Sequence, residues 1–493
     1  VKPWLAQRLV STPDSTALLH HDRELSWRQL ASEAAHYAGL LQTAGIKPGR
    51  TVALRLGRNA LENARWLHAL WWHGAVPLPL GSDLPESCIE SRIESLLRLT
   101  PGWIETAAGP GPANLLDLQA GILLSGEQHL ELPEAGSGRP IAPTELSPRH
   151  LASVILTSGS TSVPKAVPMT IKQHQASVAA VTRRLGLCAQ DEWLCCLPLE
   201  HVGGLAILIR AVITGAAVRL HDRFQPDRIA LDLGRHPVTR LSLVPTMLSD
   251  LLDSCPDRLD NSLSSVLVGG AACPPDKLHE ARERGLPVLP TWGMTEAGSQ
   301  LATPSPAEAG LADFQHHPGW VGPALPGVEV RAGSDHRLQV RGPMLFSGYW
   351  KIDCRALDCG DAALSGPDRD GWFTTDDRGR IDDRGHLHIL GRIGASVISG
   401  GVNVSLTEVE RRLFASGLVR DLATAAVDDE RWGQRLAAIF VPRAGTTAGM
   451  LKNWSQAHLA PAERPVRWLQ VERLPRTSAG KLAHDQLQNL LRR

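Results

Sequence analysis

The sequence predicts an α/β fold with a large N-terminal domain of mixed and parallel sheets covered by helices. A small α+β domain follows at the C-terminus. Three observations carry this reading. The 493 residues exceed what one ordinary core organises. Through the first three quarters, short apolar runs alternate with helical patterns, as expected of strands layered between helices. From Gly327 the pattern turns to short alternating strands, and beyond Arg392 to a new, small α+β arrangement.

The elements follow in order. Val52–Leu56, Val154–Leu156, Ala216–Leu220, Leu241–Val244 and Val266–Val268 are apolar runs of strand length. Trp27–Ala44 and Ala60–His73 have the spacing of amphipathic helices. Pro133–Pro148 is rich in Pro, Gly and Ser and is expected to be a surface loop. Val328–Arg331, Leu338–Arg341 and Leu387–Leu390 alternate as strands. Ser396–Ile398, a helix at Leu406–Ala415, and strands at Thr424–Val427 and Leu436–Val441 make up the last unit. The division is placed at residues 1–391 and 392–493.

Composition narrows the function. The hydrophobic fraction of 43% and charged fraction of 21% suit a globular enzyme. A formal net charge of zero gives no basic excess for nucleic acid. The first twenty residues have no continuous apolar core, and the apolar run Gly203–Val218 is interrupted by Arg210 and too short to span a bilayer. No membrane partner is expected, and a cytoplasmic enzyme is the default. The eight cysteines lack metal-ligand spacing and read as buried free thiols. Oligomeric state, including a homo-oligomer, is left open.

Thr157-Ser158-Gly159-Ser160-Thr161-Ser162-Val163-Pro164-Lys165 follows an apolar strand. Hydroxyls, backbone N–H groups and a lysine in such a loop suit phosphate oxygens. The Walker spacing is absent. This segment resembles the phosphate loop, (S/T)SG(S/T)TGxPK, of the superfamily of acyl-CoA synthetases, adenylation domains and luciferases. Ser162 stands where that pattern has glycine.

Further segments resemble the same superfamily in order. Thr291-Trp292-Gly293-Met294-Thr295-Glu296 is similar to its YGMTE segment, and Val268-Gly269-Gly270-Ala271-Ala272 to its glycine-rich strand end. Gly371-Trp372-Phe373-Thr374-Thr375-Asp376-Asp377-Arg378-Gly379 resembles GWxxTGDxG, with Asp376 in place of glycine. Gly391-Arg392 resembles the hinge GR, and Ala395 stands where many members carry the hinge Asp. Ser399-Gly400-Gly401-Val402-Asn403-Val404 resembles SGGENI, and Leu474–Leu482 resembles LPRTxxGKI.

The resemblance implies a two-step acid–CoA ligase using ATP, Mg²⁺ and coenzyme A, whose small domain turns between the steps. It implies that Thr157, Ser158, Gly159, Ser160, Thr161 and Lys165 hold phosphates and that Gly270, Ala271, Trp292 and Gly293 line the nucleotide. By the same resemblance Asp377 and Arg392 are expected to bind ribose. The resemblance further implies that Thr295 contacts the α-phosphate, Glu296 holds the metal, Lys481 is the catalytic cation, and Gly400 and Gly401 approach coenzyme A.

Residues 193–206, WLCCLPLEHVGGLA, look like the WCLPLFHVGG segment of o-succinylbenzoate–CoA ligases of menaquinone biosynthesis. Ser242–Thr246, Gly293–Gln300 and Pro465–Leu469 also resemble that group. His201, Gly269, Ser299 and Thr303 are expected at the acyl pocket. Arg210 is either a surface residue or the counter-charge for a second carboxylate. A ligase for another aryl or medium-chain acid stays open, as does a non-catalytic nucleotide-binding relative.

Overall fold

A computed structural model describes the chain except residues 82–113, 118–121, 126–127, 132–137, 158–164, 256–260, 351–365, 394–395, 400–401, 430–432, 478–479, 481 and 493. The first unit begins with α1 (Trp4–Ser11), the hairpin β1 (Thr16–His20) and β2 (Arg23–Ser26), α2 (Trp27–Thr43), β3 (Thr51–Arg55), α3 (Ala60–His73) and β4 (Val76–Leu80). Strands β5 (Asn114–Asp117), β6 (Ile122–Ser125), β7 (Gln128–Glu131), β8 (Leu151–Thr157) and β9 (Lys165–Thr170) lead to α4 (Ile171–Leu185). Then come β10 (Glu192–Cys195), α5 (Val202–Thr214), β11 (Ala217–Leu220), α6 (Pro226–Arg235), β12 (Arg240–Leu243), α7 (Pro245–Ser254), β13 (Ser265–Val268), α8 (Pro275–Glu283) and β14 (Val288–Pro290).

These strands form a seven-stranded sheet in the order β14-β13-β12-β10-β11-β1-β2, parallel except for the β1–β2 hairpin. A second sheet has the order β4-β3-β5-β6-β7, with β4, β3 and β5 parallel. The apolar run at Val154–Leu156 is a strand, but it pairs antiparallel with β9 around the Ser/Thr loop instead of joining a parallel layer.

Two sequence expectations change. The helix at Ala60–His73 has the expected bounds, yet it is buried on nearly every face instead of being amphipathic. Its three tryptophans and its packing against α2 leave only Glu62 partly exposed. His68, 2% exposed, is pushed down to about 3 by burial and stays neutral. The cysteines are also not uniformly hidden. Cys195 and Cys196 are buried free thiols, whereas Cys188 is exposed.

The chain continues through the hairpin β15 (Trp292–Met294) and β16 (Ser299–Ala302). A five-stranded antiparallel sheet is built from β17 (Trp320–Pro323), β18 (Glu329–Ala332), β19 (Arg337–Arg341), β20 (Phe373–Ile381) and β21 (His386–Arg392). The last sheet contains β22 (Ser396–Ser399), β23 (Val402–Ser405), β24 (Val419–Asp429), β25 (Gly433–Pro442) and β26 (Arg467–Gln470). Along β25, Leu436, Ala438 and Phe440 enter one core, while Ala437, Ile439 and Val441 enter another. Successive side chains point to opposite faces, so helices at Leu406–Phe414 and Ala448–His458 pack on one side and His484–Arg492 on the other.

Within this unit Glu410 accepts hydrogen bonds from Thr424 N at 2.7 Å and Thr424 Oγ1 at 3.1 Å. Burial dominates and pushes its carboxyl up to about 7. The folded state therefore holds a proton that the unfolded chain has released, and this contribution is lost as pH rises from the ordinary carboxyl range through about 7. Glu410→Gln keeps the acceptor and removes the titration. It is expected to stabilise the protein at pH 8 by on the order of 1 kcal/mol and to flatten that part of the pH profile, measured by thermal melts.

Candidate active site

Parallel strands present their carboxyl ends on one edge of the sheet, where loops converge. Here β10 ends at Cys195 and its loop leads to His201, the residue capping α5. β12 ends at Leu243, and Pro245 opens α7 at a position where a missing N–H costs nothing. β13 ends at Val268 and passes into Gly269 and Gly270. A β-carbon on Gly269 would lie 2.7 Å from Thr291 Cγ2 and 3.0 Å from the Thr291 carbonyl oxygen. The two strand ends meet at a distance only glycine allows. The β15–β16 hairpin crosses itself equally closely, since a β-carbon on Gly293 would come within 2.0 Å of the Ser299 carbonyl oxygen. Ser299 itself has a φ of 132°, unusual for a residue with a side chain.

Asp377 lies on β20, where burial alternates from Phe373 onward, so Asp377 faces inward and Asp376 outward. Thr375 Oγ1 accepts from Asp377 N at 3.1 Å. Trp292 Nε1 donates to Asp377 Oδ2 at 2.9 Å, and Arg392 Nε lies 3.0 Å from Asp377 Oδ1. Both carboxylate oxygens are thereby oriented. The Arg392 side chain is 66% exposed, so water weakens the ion pair and leaves the guanidinium available to a ligand. Trp292 is 6% exposed, and its N–H is committed to Asp377. Asp376, which departs from the superfamily glycine, sits on the exposed side, 4.0 Å from Arg337.

A second cluster surrounds Glu296, in the turn Thr295–Ala297 between β15 and β16. Tyr349 OH donates to Glu296 Oε1 at 2.5 Å. Lys165 Nζ lies 5.1 Å from the Tyr349 ring centroid, within cation–π range. Burial first, and then the Glu296 charge, push the Tyr349 hydroxyl above its ordinary range, so it remains a donor. Sequence reasoning missed Tyr349. Its signal was rarity, since the chain has only two tyrosines and the other, Tyr37, also donates to a glutamate. Tyr349→Phe is expected to raise the Mg²⁺ concentration for half-maximal activity about three- to ten-fold, because a hydrogen bond that only orients the metal-binding carboxylate is worth about 1 kcal/mol net. The rate at saturating Mg²⁺ should change little. A Mg²⁺ titration of the initial rate checks both.

The third cluster lies toward α5. Arg210, 3% exposed, is buried, which removes the surface reading. Its guanidinium sits 5.4 Å from the Trp193 ring centroid, and Trp193 Nε1 donates to Ser242 Oγ at 3.2 Å. Burial lowers Arg210 to about 10, so it keeps its charge at neutral pH. Its Nη2, with both amide atoms of the buried Gln300, lacks a hydrogen-bond partner among the described residues. α5 packs on β16, the strand carrying Gln300. Thr303 is fully buried and donates to the Pro290 carbonyl at 3.3 Å, so its hydroxyl is already engaged.

Ser158–Thr161, Gly400, Gly401 and Lys481 lie outside the described residues, as do Ser162 and Ala395. Thr157, at the near end of the phosphate loop, donates through Oγ1 to the Lys165 carbonyl at 3.4 Å. The loop bearing Lys481 is organised from its flanks. Arg476 donates to Gly480 O at 3.0 Å and to both Asp421 carboxylate oxygens at 2.8 and 2.7 Å. Gly480 N donates to Thr477 O at 2.8 Å. Gly480 has a φ of 72°, and a β-carbon there would lie 2.7 Å from Val244 Cγ2. The C-terminal unit thus rests against the carboxyl end of β12. Gly391 has a φ of 127°, and a β-carbon there would lie 3.1 Å from Thr407 Oγ1.

A family model described as AMP-binding enzyme matches residues 5–350, and one described as AMP-binding enzyme C-terminal domain matches residues 408–481. The 2-succinylbenzoate–CoA ligase of Bacillus licheniformis is 34% identical over 495 residues, covering 98% of each chain. That of Bacillus subtilis strain 168 is 29% identical over 498 residues, covering 99% of this chain and 97% of the other. Among solved structures, the Bacillus subtilis o-succinylbenzoate CoA synthetase with the acyl-adenylate intermediate OSB-AMP aligns with a TM-score of 0.83 and 28% identity. That alignment covers 99% of this chain and 98% of that one. The same enzyme with ATP and magnesium ion gives a TM-score of 0.82 at 28% identity, covering 99% of each chain. With matches spanning both units and the ordered strand-end segments brought to one edge of the sheet, the chain belongs to the AMP-binding enzyme family.

Proposed function

We propose that the chain is an ATP-dependent o-succinylbenzoate–CoA ligase working through an acyl adenylate. Full-length similarity to enzymes of that activity supports the reaction. The observation that carries the choice of acid is Arg210, a buried cation whose Nη2 is unpartnered among the described residues. A buried unpaired charge is costly, and a ligand carboxylate offsets that cost. o-Succinylbenzoate has two carboxylates, one to be activated and an aromatic one to be held. In this reading Arg210 holds the aromatic carboxylate, while His201, Gly269, Ser299 and Thr303 shape the surrounding wall.

In the first step an oxygen of the succinyl carboxylate attacks the α-phosphorus of ATP, and diphosphate leaves. In the second the CoA sulfur attacks the acyl carbon, loses its proton, and AMP leaves. The enzyme supplies position and charge. Asp377 accepts the ribose hydroxyls with Arg392 beside it, and Gly270, Ala271, Trp292 and Gly293 line the nucleotide. Thr157–Thr161 and Lys165 hold phosphate oxygens, and Thr295 meets the α-phosphate. Glu296 fits a hard cation because it offers a carboxylate on a turn already fixed by Tyr349. It would hold Mg²⁺, which when bound supplies neutralising charge to the phosphates. Lys481 serves the first step and Gly400–Gly401 the second, as residues 392–493 turn against residues 1–391.

Thioester formation with ATP, Mg²⁺, CoA and o-succinylbenzoate is the test. It is run beside benzoate, a medium-chain fatty acid and 4-oxo-4-phenylbutanoate, which lacks the aromatic carboxylate. Preference for o-succinylbenzoate is expected. Equal or better turnover of another acid would overturn the substrate and keep the chemistry.

A further inference from the structure

Away from the nucleotide site, β1 and β11 run parallel, with Leu18 beside Val218 and Leu19 beside Arg219. This register brings the turn after His20 alongside the residues after Leu220. The turn is tight, because His20 pairs with Arg23 across it, and His21 adopts a φ of 51° as two-residue hairpin turns require. His20 Nε2 lies 2.8 Å from Asp222 Oδ1, and His21 Nε2 lies 3.3 Å from Asp222 Oδ2. One donor atom from each residue falls within 4.8 Å of the other two.

The carboxylate is held independently of the histidines. Ala60 N, at the start of α3, donates to Asp222 Oδ1 at 2.8 Å. Such an outer hydrogen bond fixes a ligating carboxylate in place. The His20 side chain is 7% exposed, whereas His21 is 63% and Asp222 36% exposed, so one side of the cluster opens to solvent. Two imidazoles and one carboxylate suit a borderline transition cation with water completing its shell, and they are a poor set for Mg²⁺.

We propose that His20, His21 and Asp222 form a binding site for a divalent transition-metal ion of the zinc class, separate from the magnesium carboxylate Glu296. An ion there replaces the direct His20–Asp222 hydrogen bond. It clips together the β1–β2 turn, the segment after β11 and the start of α3, so its binding stabilises the fold.

The test titrates the chelator-treated full-length protein with Zn²⁺ by calorimetry, and with Co²⁺ by visible absorption, in buffer holding excess Mg²⁺. One equivalent with a raised melting temperature is expected. His21→Asn tolerates the positive φ and removes one ligand, and Asp222→Asn keeps the acceptor for Ala60 N. Each should weaken binding at least about ten-fold and abolish the melting shift. In Mg²⁺ buffer free of transition metals, His21→Asn should leave ligase turnover unchanged. Unaltered affinity and stoichiometry in His21→Asn would overturn the site, even if Asp222→Asn failed to fold.

Discussion

Lys481→Ala is expected to slow acyl-adenylate formation by about a hundred- to a thousand-fold, the usual loss when a preorganised charge at a developing anion is removed. Turnover of chemically prepared o-succinylbenzoyl-AMP with CoA should fall far less. The described residues on either side of Lys481 are held in place. Arg476 ties Gly480 to Asp421, and Gly480 packs on Val244 at the end of β12. Lys481 follows Gly480 in the chain, and in the proposed reaction its charge serves the first step. Diphosphate exchange and thioester formation from the adenylate, measured separately, check the split. Equal losses in both would remove Lys481 from its step-specific role.

Arg210→Met should lower kcat/KM for o-succinylbenzoate by about ten- to a hundred-fold, as the loss of a hydrogen bond to a charged group implies. For 4-oxo-4-phenylbutanoate the value should hold or rise. Methionine refills the volume over Trp193 and abolishes the charge. A merely structural arginine would lower both acids equally, because the damage would fall on folding. A steady-state comparison of the two acids separates these outcomes, and a thermal melt establishes that the variant is folded.

Much of the architecture is legible in the residues. The apolar run at Val266–Val268 lies within the β13 strand, and Ala60–His73 is a helix with the bounds its spacing predicts. That helix is buried on nearly every face, which its spacing did not reveal, because periodicity reports a face only when one face meets water. The run at Val154–Leu156 illustrates the same gap. Its apolarity fits a parallel layer or a hairpin, and the return strand β9 decided for the hairpin. Among the candidate site residues, the order of motifs pointed to Asp377, Arg392, Glu296 and Lys165, which the fold gathers into two clusters. Tyr349 went unrecognised, because a lone tyrosine has no periodic or glycine signal.

By itself the sequence determined the local chemistry: which turns need glycine, which strand ends carry carboxylates and cations, and in what order they come. These are properties of short stretches, set by backbone sterics and side-chain type. The tertiary structure decided the partnerships. Trp292 meets Asp377 across 85 positions of chain, and Tyr349 meets Glu296 across 53. Arg210 was placed inside rather than on the surface by the same means. Such meetings depend on strand order, register and helix packing between distant segments, which no local pattern contains.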